Sequence, residues 1–195
     1  MEQDRRVQRT REAIRQQFRA MICEMEAGKI TVTEIAERAG INRKTFYLHY
    51  DSIEALYEET LDEIVEHYMQ GMRKLRVPVD MDEQTRVFFK FYCSQPRYVE
   101  QLLCEPSYRP YCDRIHEKAI AENEKRYAPN ALRPKEEQDL ILAFLVSSCL
   151  GLYRQWVSGG KAISVERLCA LSCKLISDGY KGLMRSEVWE NASEL

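Results

Sequence analysis

The stretch TVTEIAERAGINRKTFYLHY, residues 31–50, decides the fold of this chain. Its first half has apolar residues at i, i+3, i+4 and i+7, which form one face of a short helix from Val32, Ile35, Ala36 and Ala39. Thr31 and Glu34 form a capping box at its start, and Gly40 suits the left-handed position that ends a helix. Asn42 is an N-cap for a second helix. Two helices joined by a short turn that contains glycine predict a helix-turn-helix, whose second helix enters the major groove of DNA.

The faces of this second helix follow from placing residues 43–50 at intervals of about 100°. Phe46 and Tyr50, at i and i+4, form the inward pair. The opposite face is predicted to meet base edges and carries Lys44, Thr45 and Leu48. The two flanks, which would meet the phosphate backbone, carry Arg43, Tyr47 and His49. An apolar side chain on the outward face suits a thymine methyl group, so a base contact is predicted for Leu48.

Further DNA contacts are predicted at three helix starts. Thr31 and Asn42 cap the two helices of the motif, and an earlier amphipathic helix over residues 5–25 carries six arginines beside its apolar stripe. At the start of that helix, Arg9, Thr10 and Arg11 are predicted to reach a phosphate or the adjacent minor groove. A solvated arginine face explains most of these arginines equally well.

The same region carries a family resemblance. TVTEIAERAGINRKTFYLHYDSIEAL, residues 31–56, resembles the N-terminal DNA-binding module of the TetR/AcrR family of bacterial transcriptional regulators in its IA and AG pairs, its Y-x-H-[FY] motif and the acidic or Ser helix start that follows. The resemblance covers about the first sixty residues, and residues 75–195 are similar only in length and helical character. One position departs from the family pattern, because Ile53 stands where a phosphate-binding Lys is common. Backbone contact at that helix end must then rest on amide groups and Ser52, or be weaker.

Composition favours a soluble, all-α protein. Of the 195 residues 45% are hydrophobic and 31% are charged, and Gly and Pro are sparse. Residues 1–50 hold ten Lys and Arg against seven Asp and Glu, whereas the remainder holds nineteen against twenty-four. A cationic N-terminal part is expected if that end meets phosphates, although chance clustering explains so small an excess about equally well.

Two further features favour a cytoplasmic protein without a membrane partner. The charged N-terminus has no apolar signal segment, and the uncharged run Leu140–Tyr153 is too short to span a bilayer. Seven cysteines without a CxxC motif favour free thiols in a reducing compartment.

Capping and proline signals divide the chain into about nine helices. We predict a three-helix DNA-binding domain at residues 1–52, a connecting helix at 53–77 that acts as a lever, and a larger helical effector-binding and dimerisation domain at 78–195. Within the last domain, helices are expected at about 82–93, 96–104, 107–127, 134–157 and 164–184.

Aromatic residues gather between residues 88 and 127, and several have polar tips that can orient a small molecule between helices. Core packing is the simpler explanation for any one of them, but as a group they predict a ligand cavity. The TetR/AcrR resemblance implies the same place, where a bound effector changes the spacing of two DNA-binding heads. The predicted effector contacts are Phe88, Tyr92, Tyr98, Leu102, Tyr108 and His116.

The last two helices carry more apolar residues than a peripheral helix needs to bury. Gly151 and the small residues before it would let another helix approach closely. We predict a two-fold, four-helix dimer interface, which the resemblance also implies. Its predicted contacts are Leu145, Cys149, Leu152, Trp156, Leu168, Leu171 and Leu175, although an internal core explains about half of them equally well.

No catalytic or metal site emerges from the residue pattern. Cys112 with His116, and Cys169 with Cys173, are spaced i, i+4, but neither pair has further ligands at suitable spacing. We therefore expect no metal, no cofactor and no enzyme activity. The sequence predicts a homodimeric, ligand-responsive repressor that binds a palindromic operator in double-stranded DNA. The alternative is a helical small-molecule-binding protein with a vestigial DNA-binding head, which Ile53 favours.

Overall fold

The chain is helical throughout the part that the structure describes. The computed structural model describes residues 2–76, 80–124 and 134–185, with side chains for all of these except 2–4, 123–124 and 180–185. Within these ranges there is no strand, and the predicted all-α class and helix count are confirmed. The nine helices are α1 Glu2–Glu24, α2 Val32–Arg38, α3 Arg43–Tyr47, α4 Ile53–Met72, α5 Met81–Cys93, α6 Arg97–Cys104, α7 Arg109–Glu124, α8 Lys135–Ser158 and α9 Val165–Arg185.

Helix bounds differ from the predicted ones where the backbone tightens. Helix α3 ends at Tyr47 rather than at residue 50, because the next two amides donate to carbonyls three residues back. One-turn 3-10 helices at Ala27–Lys29 and Pro106–Tyr108 precede α2 and α7. The predicted end of α7 at Tyr127 and residues 77–79 of the predicted domain boundary lie outside the described residues.

The chain forms two compact units, and each takes two stretches of sequence. The N-terminal unit contains residues 1–67 and 95–119, and the C-terminal unit contains residues 68–94 and 120–195. Helices α4 and α7 therefore contribute to both units. This division differs from the predicted boundaries after residues 52 and 77, since α6 and most of α7 join the unit that contains the helix-turn-helix.

Hydrogen bonds join the two stretches of the N-terminal unit. The hydroxyl of Tyr108 donates to the carbonyl of Met25 at 2.7 Å, and the amide of Ala27 donates to Oγ of Ser107 at 3.3 Å. The shared apolar core contains Ile14, Phe18, Met21, Ile22, Ile35, Phe46, Leu56, Tyr57, Leu61, Val99, Leu102, Leu103, Tyr108 and Ile115. Residues 95–119 are thus part of the body that supports α2 and α3.

Within the N-terminal unit, α4 presents two rows of carboxylates, each with one acidic residue per turn. The first row, Glu59 and Glu63, accepts from arginines of α1, with Arg15 Nη1 at 3.1 Å from Glu59 and 3.2 Å from Glu63. The second row is Glu54, Glu58 and Asp62, which pair with Tyr111, Arg114 and Lys118 of α7. A single exposed ion pair contributes about 0–1 kcal/mol. The two rows together hold α4 against both neighbours.

The C-terminal unit is built around α5, which packs mainly against α9 and also against α8. The hydroxyl of Tyr153 on α8 donates to the carbonyl of Tyr92 on α5 at 3.3 Å. The ring of Tyr68 stacks on that of Tyr92 at 5.6 Å between centroids. The core includes Phe88, Phe89, Tyr92, Ile141, Leu145, Cys149, Leu150, Tyr153, Leu168, Cys173 and Ile176.

The carboxylate rows should make the protein sensitive to acid. A hydrogen bond from Lys118 lowers the pKa of Glu58 below 4.5. Burial raises the pKa of Glu59, but hydrogen bonds from Tyr50 and Arg11 and the charges of nearby arginines lower it by more. Carboxylates with a lowered folded-state pKa stabilise the fold above the unfolded pKa, and that contribution is lost as the pH falls through the folded value.

We therefore expect the thermal unfolding midpoint, followed by circular dichroism from pH 7 to pH 3, to fall steadily below about pH 4.5. The Glu58→Gln, Glu59→Gln double variant should have a lower unfolding midpoint at pH 7, but its midpoint should fall less between pH 7 and pH 3. An equal acid-induced loss in both proteins would exclude these two groups as its source.

Candidate nucleic-acid interface

The turn of the helix-turn-helix is fixed by hydrogen bonds between residues that are close in sequence. Oγ1 of Thr31 accepts from the amide of Glu34 at 3.2 Å and begins α2. Gly40 has a φ of +67°, and the amide of Ile41 reaches back to the carbonyl of Ala36 at 2.9 Å. This arrangement ends α2 with a left-handed glycine, as predicted. A residue with a side chain would strain the turn at position 40.

Helix α3 begins at the predicted cap. Oδ1 of Asn42 accepts from the amide of Thr45 at 2.8 Å and from its hydroxyl at 3.1 Å. Because α3 has only five residues, this cap and the packing of Phe46 decide where the helix lies. The hydroxyl proton of Thr45 is engaged with Asn42, so its methyl group and the oxygen lone pairs are the parts left for a base.

The recognition segment, defined as residues 42–50, has the predicted inside and outside. Phe46 is 0% exposed and Tyr50 is also buried, which confirms the inward pair. Leu48 lies at the opposite extreme with 82% of its surface exposed, and Tyr47 is exposed beside it. Arg43 and Lys44 are exposed, whereas Thr45 and His49 are half-buried. An apolar side chain as exposed as Leu48 has no packing role within the protomer.

The predicted contacts on α1 lie in two different environments. Arg9 is exposed, and the hydroxyl of Thr10 donates to the carbonyl of Arg6 at 3.1 Å. Arg11, by contrast, reaches the end of the recognition segment, with Nε donating to the hydroxyl of Tyr50 at 3.2 Å and Nη2 donating to Oε1 of Glu59 at 3.0 Å. Contact of these residues with DNA stays a prediction.

The Arg11–Tyr50–Glu59 triad is not among the contacts predicted from the sequence. Burial first, and then a hydrogen bond to Glu59, raises the pKa of Tyr50 to about 12, so the phenol remains protonated at neutral pH. Matching i, i+4 spacings of arginine on α1 and of glutamate on α4 were a signal for this cluster. Spacing alone does not say that the two helices are neighbours.

Helix α4 begins at the position that departs from the family pattern. Oγ of Ser52 accepts from the amide of Ala55 at 3.1 Å, so Ser52 is the cap, and the exposed Asp51 precedes it. Ile53 is the first residue of the helix and is half-buried. The chemistry left here for a phosphate is the hydroxyl proton of Ser52 and the free amides of the first turn.

The six predicted effector contacts divide between the two units. Phe88 and Tyr92 lie in the C-terminal unit, where their ring centroids are 4.7 Å apart in the core. The other four lie in the N-terminal unit: Leu102 and Tyr108 are buried, the ring of Tyr98 lies under the guanidinium of Arg19 at 5.2 Å, and Nδ1 of His116 is 3.7 Å from Sγ of Cys112. Effector binding by these residues stays a prediction.

The predicted dimer residues also divide, because α8 is apolar on more than one face. Leu145, Cys149 and Leu168 are buried within the protomer, Leu152 and Trp156 are half-buried, and Leu171 and Leu175 are exposed. The exposed stripe of α8 runs instead through Leu140, Ala143, Phe144, Ser147 and Gly151. Phe144 lies beside α9, since its Cζ is 3.8 Å from where a Cβ on Gly179 would stand.

Two observations on the described residues bear on metal binding and on membrane insertion. Among them, no group of three or more His, Cys, Asp and Glu residues is arranged to hold a metal ion. Of the described helices, only α8 is long and apolar enough to cross a membrane by length and composition, with 22% of its most apolar window buried. This is a weak indicator, because a core or interface helix passes the same test.

The helix-turn-helix region is similar in sequence to known proteins. Residues 27–60 match the family model described as bacterial regulatory proteins, tetR family. A curated relative, the HTH-type transcriptional regulator YxbF of Bacillus subtilis (strain 168), is 40% identical over 70 residues. That match covers 33% of this chain and 18% of the relative, so the chain spans less than a fifth of the protein that it matches.

Solved structures share the fold over most of the chain. A TetR transcriptional regulator from Streptococcus agalactiae matches with a TM-score of 0.67 and 24% identity, covering 90% of this chain and 98% of that one. NalD, the secondary repressor of the MexAB-OprM multidrug efflux pump in Pseudomonas aeruginosa, has a TM-score of 0.69, 17% identity and coverages of 89% and 96%. FadR of Bacillus subtilis, solved with stearoyl-CoA, has a TM-score of 0.64, 14% identity and coverages of 85% and 96%. At these identities the likeness concerns the fold.

The contrast between Phe46 and Leu48 gives a matched pair of truncations. Phe46→Ala should lower the free energy of unfolding by about 3–5 kcal/mol in the absence of DNA, because it empties a buried site under α3. Leu48→Ala removes an exposed side chain two residues away and should change it by no more than about 0.5 kcal/mol. Chemical denaturation of both variants measures this difference, and equal losses would contradict the assigned faces.

Proposed function

We propose that this chain is a transcriptional regulator of the tetR family of bacterial regulatory proteins, and that it is a homodimeric cytoplasmic repressor that a small-molecule effector releases from a palindromic operator. The observation that carries the DNA-binding part is the recognition segment, in which a buried Phe46 holds an exposed row of basic, polar and apolar side chains outward. Proteins of this family are transcription regulators rather than enzymes.

The exposed row divides by the part of DNA that each side chain suits. Lys44 can contact guanine acceptors, and Leu48 and the methyl of Thr45 can contact thymine methyl groups. Arg43, Tyr47 and His49 suit the phosphate walls of the groove, with Arg9 and Thr10 reaching the backbone from α1. A segment this short contacts few base pairs, so specificity requires two copies that read half-sites about 34 Å or more apart.

The exposed stripe of α8 and α9 supports a two-fold interface between copies. Leu140 is 72% and Leu175 62% exposed, and Gly151 has open space around it. We therefore move the proposed surface from Leu145, Cys149 and Leu168 to the stripe formed by Leu140, Phe144, Ser147, Gly151, Leu171 and Leu175. Cover by a second copy also accounts for an apolar helix that its own protomer leaves largely unburied.

Two structural neighbours support the effector and the repressor parts of the proposal. FadR of Bacillus subtilis was solved with stearoyl-CoA, and NalD is a repressor of an efflux pump. For this chain the candidate effector contacts are Phe88 and Tyr92 within the C-terminal unit and, separately, Tyr98, Leu102, Tyr108 and His116 within the N-terminal unit. An effector changes operator binding only if its affinity differs between two spacings of the two DNA-binding heads. About 1–3 kcal/mol of coupling is enough to change operator occupancy several-fold.

A second candidate function is a small-molecule-binding protein whose DNA-binding head is vestigial. Ile53 favours it, because the start of α4 lacks the lysine that the family commonly uses for a phosphate. Affinity for random duplex DNA at several salt concentrations separates the two functions. A working head must show a steep negative slope of log affinity against log salt, of about 0.9 per phosphate contact.

Substitutions on the recognition segment should separate base contacts from phosphate contacts. With a duplex selected from a random library, Lys44→Ala should reduce the preference for that duplex over a scrambled one about tenfold. Tyr47→Phe should weaken binding to both duplexes alike, because a phosphate contact carries no sequence information. Gel-shift titrations measure both ratios, and the reverse pattern would refute the assignment of faces.

Leu175→Glu should convert the dimer into a monomer, because it introduces a charge into the proposed apolar interface. Sedimentation equilibrium should show the mass of one protomer, and affinity for the selected palindrome should fall while affinity for a single half-site stays the same. Ile163→Glu, which alters an exposed residue outside the stripe, is the control and should remain dimeric. A dimeric Leu175→Glu variant would contradict the proposed surface.

A further inference from the structure

We propose that Arg11 is a phosphate-binding residue whose guanidinium is positioned by Tyr50 and Glu59, so that an acidic residue, Glu59, strengthens DNA binding. This inference rests on the proposed DNA-binding function. It concerns residues outside the recognition helix, and it assigns to Glu59 an effect opposite to the one that its charge alone would have.

The guanidinium of Arg11 is held from two sides. Nε donates to the hydroxyl of Tyr50, Nη2 donates to Oε1 of Glu59, and the central carbon lies 5.4 Å from the centroid of the Tyr50 ring. These two bonds use two of the five N–H donors of an arginine. Three donors remain, and the side chain is still 41% exposed, which leaves it accessible to solvent and to a phosphate.

The two partners of Arg11 are themselves held in place. Tyr50 is buried, and its hydroxyl oxygen accepts from Arg11. Oε1 of Glu59 accepts from Arg15 as well as from Arg11, whereas the buried Oε2 has no hydrogen-bond partner among the described residues. Tyr50 and Glu59 therefore each orient Arg11 directly.

The position of the triad connects it to the DNA-binding surface. Tyr50 directly follows His49 and Leu48, so its contact with Arg11 brings the start of α1 against the end of the recognition segment. Arg9 and Thr10 precede Arg11 on the same helix. The guanidinium of Arg11 is therefore held next to the residues proposed to contact phosphates.

Two opposing effects decide the sign of the contribution of Glu59. Its charge repels phosphates, but the carboxylate is only 20% exposed and is already paired with Arg11 and Arg15. Against this, a free arginine loses much rotamer freedom when it binds, and a side chain fixed before binding loses less. We infer that positioning outweighs repulsion.

The chain offers a matched control on the same helix. Glu63 lies one turn further along α4 and pairs with Arg15 and Arg19, while its contacts include neither Arg11 nor Tyr50. Glu59→Gln and Glu63→Gln therefore remove the same charge from the same carboxylate row. Only the first removes a member of the triad.

The test measures binding of the full chain to a library-selected duplex at several salt concentrations. Glu59→Gln should lower affinity about fivefold and reduce the salt slope by about one phosphate contact. Glu63→Gln should leave affinity unchanged or raise it slightly. Tyr50→Phe keeps the ring but removes the hydroxyl that accepts from Arg11, so it should change affinity in the same direction as Glu59→Gln.

A double-mutant cycle separates positioning from a general loss of stability. In an Arg11→Ala background, Glu59→Gln should no longer lower affinity, because there is no guanidinium left to position. Tighter or unchanged binding by Glu59→Gln in the otherwise native chain, or an equal loss with and without Arg11, would overturn the inference. Failure of the native chain to bind any duplex would instead refute the proposed function.

Discussion

The pairing of the α4 carboxylates with cations on both neighbouring helices is the interaction on which the N-terminal unit depends. Glu59 and Glu63 face α1, and Glu54, Glu58 and Asp62 face α7. Each pair is partly exposed and individually weak, but together the pairs hold α4 against both α1 and α7. The recognition segment is joined to this arrangement, because Tyr50 contacts Arg11 and lies only a few residues before α4.

Local features of the helix-turn-helix could be predicted from the sequence because their partners are a few residues away. Thr31, Gly40 and Asn42 act through bonds that span three to five residues, and the inward pair follows from helical spacing alone. The Arg11–Tyr50–Glu59 triad could not be found in the same way. Tyr50 and Glu59 lie 39 and 48 residues from Arg11, and no sequence pattern states which helices are adjacent.

The larger elements show a different limit of sequence reasoning. The apolar content of α8 correctly indicated a helix, but it did not distinguish the side that is buried within the protomer from the side left exposed. Leu145 and Cys149 lie on the first side, and Leu140 and Phe144 lie on the second. For the aromatic residues between 88 and 116, closeness in sequence suggested one cluster, whereas the chain assigns Phe88 and Tyr92 to a different unit from Tyr98 and Tyr108.

The hydrogen bond from Tyr108 to Met25 has a consequence for exchanging parts between proteins of this fold. A chimera that joined residues 1–52 of this chain to a foreign sensor would strip the carbonyl of Met25 of its partner and would uncover Phe18 where the ring of Tyr57 packs against it. The transplantable piece is therefore discontinuous, and a graft must carry residues 95–119 and the first half of α4 together with the helix-turn-helix.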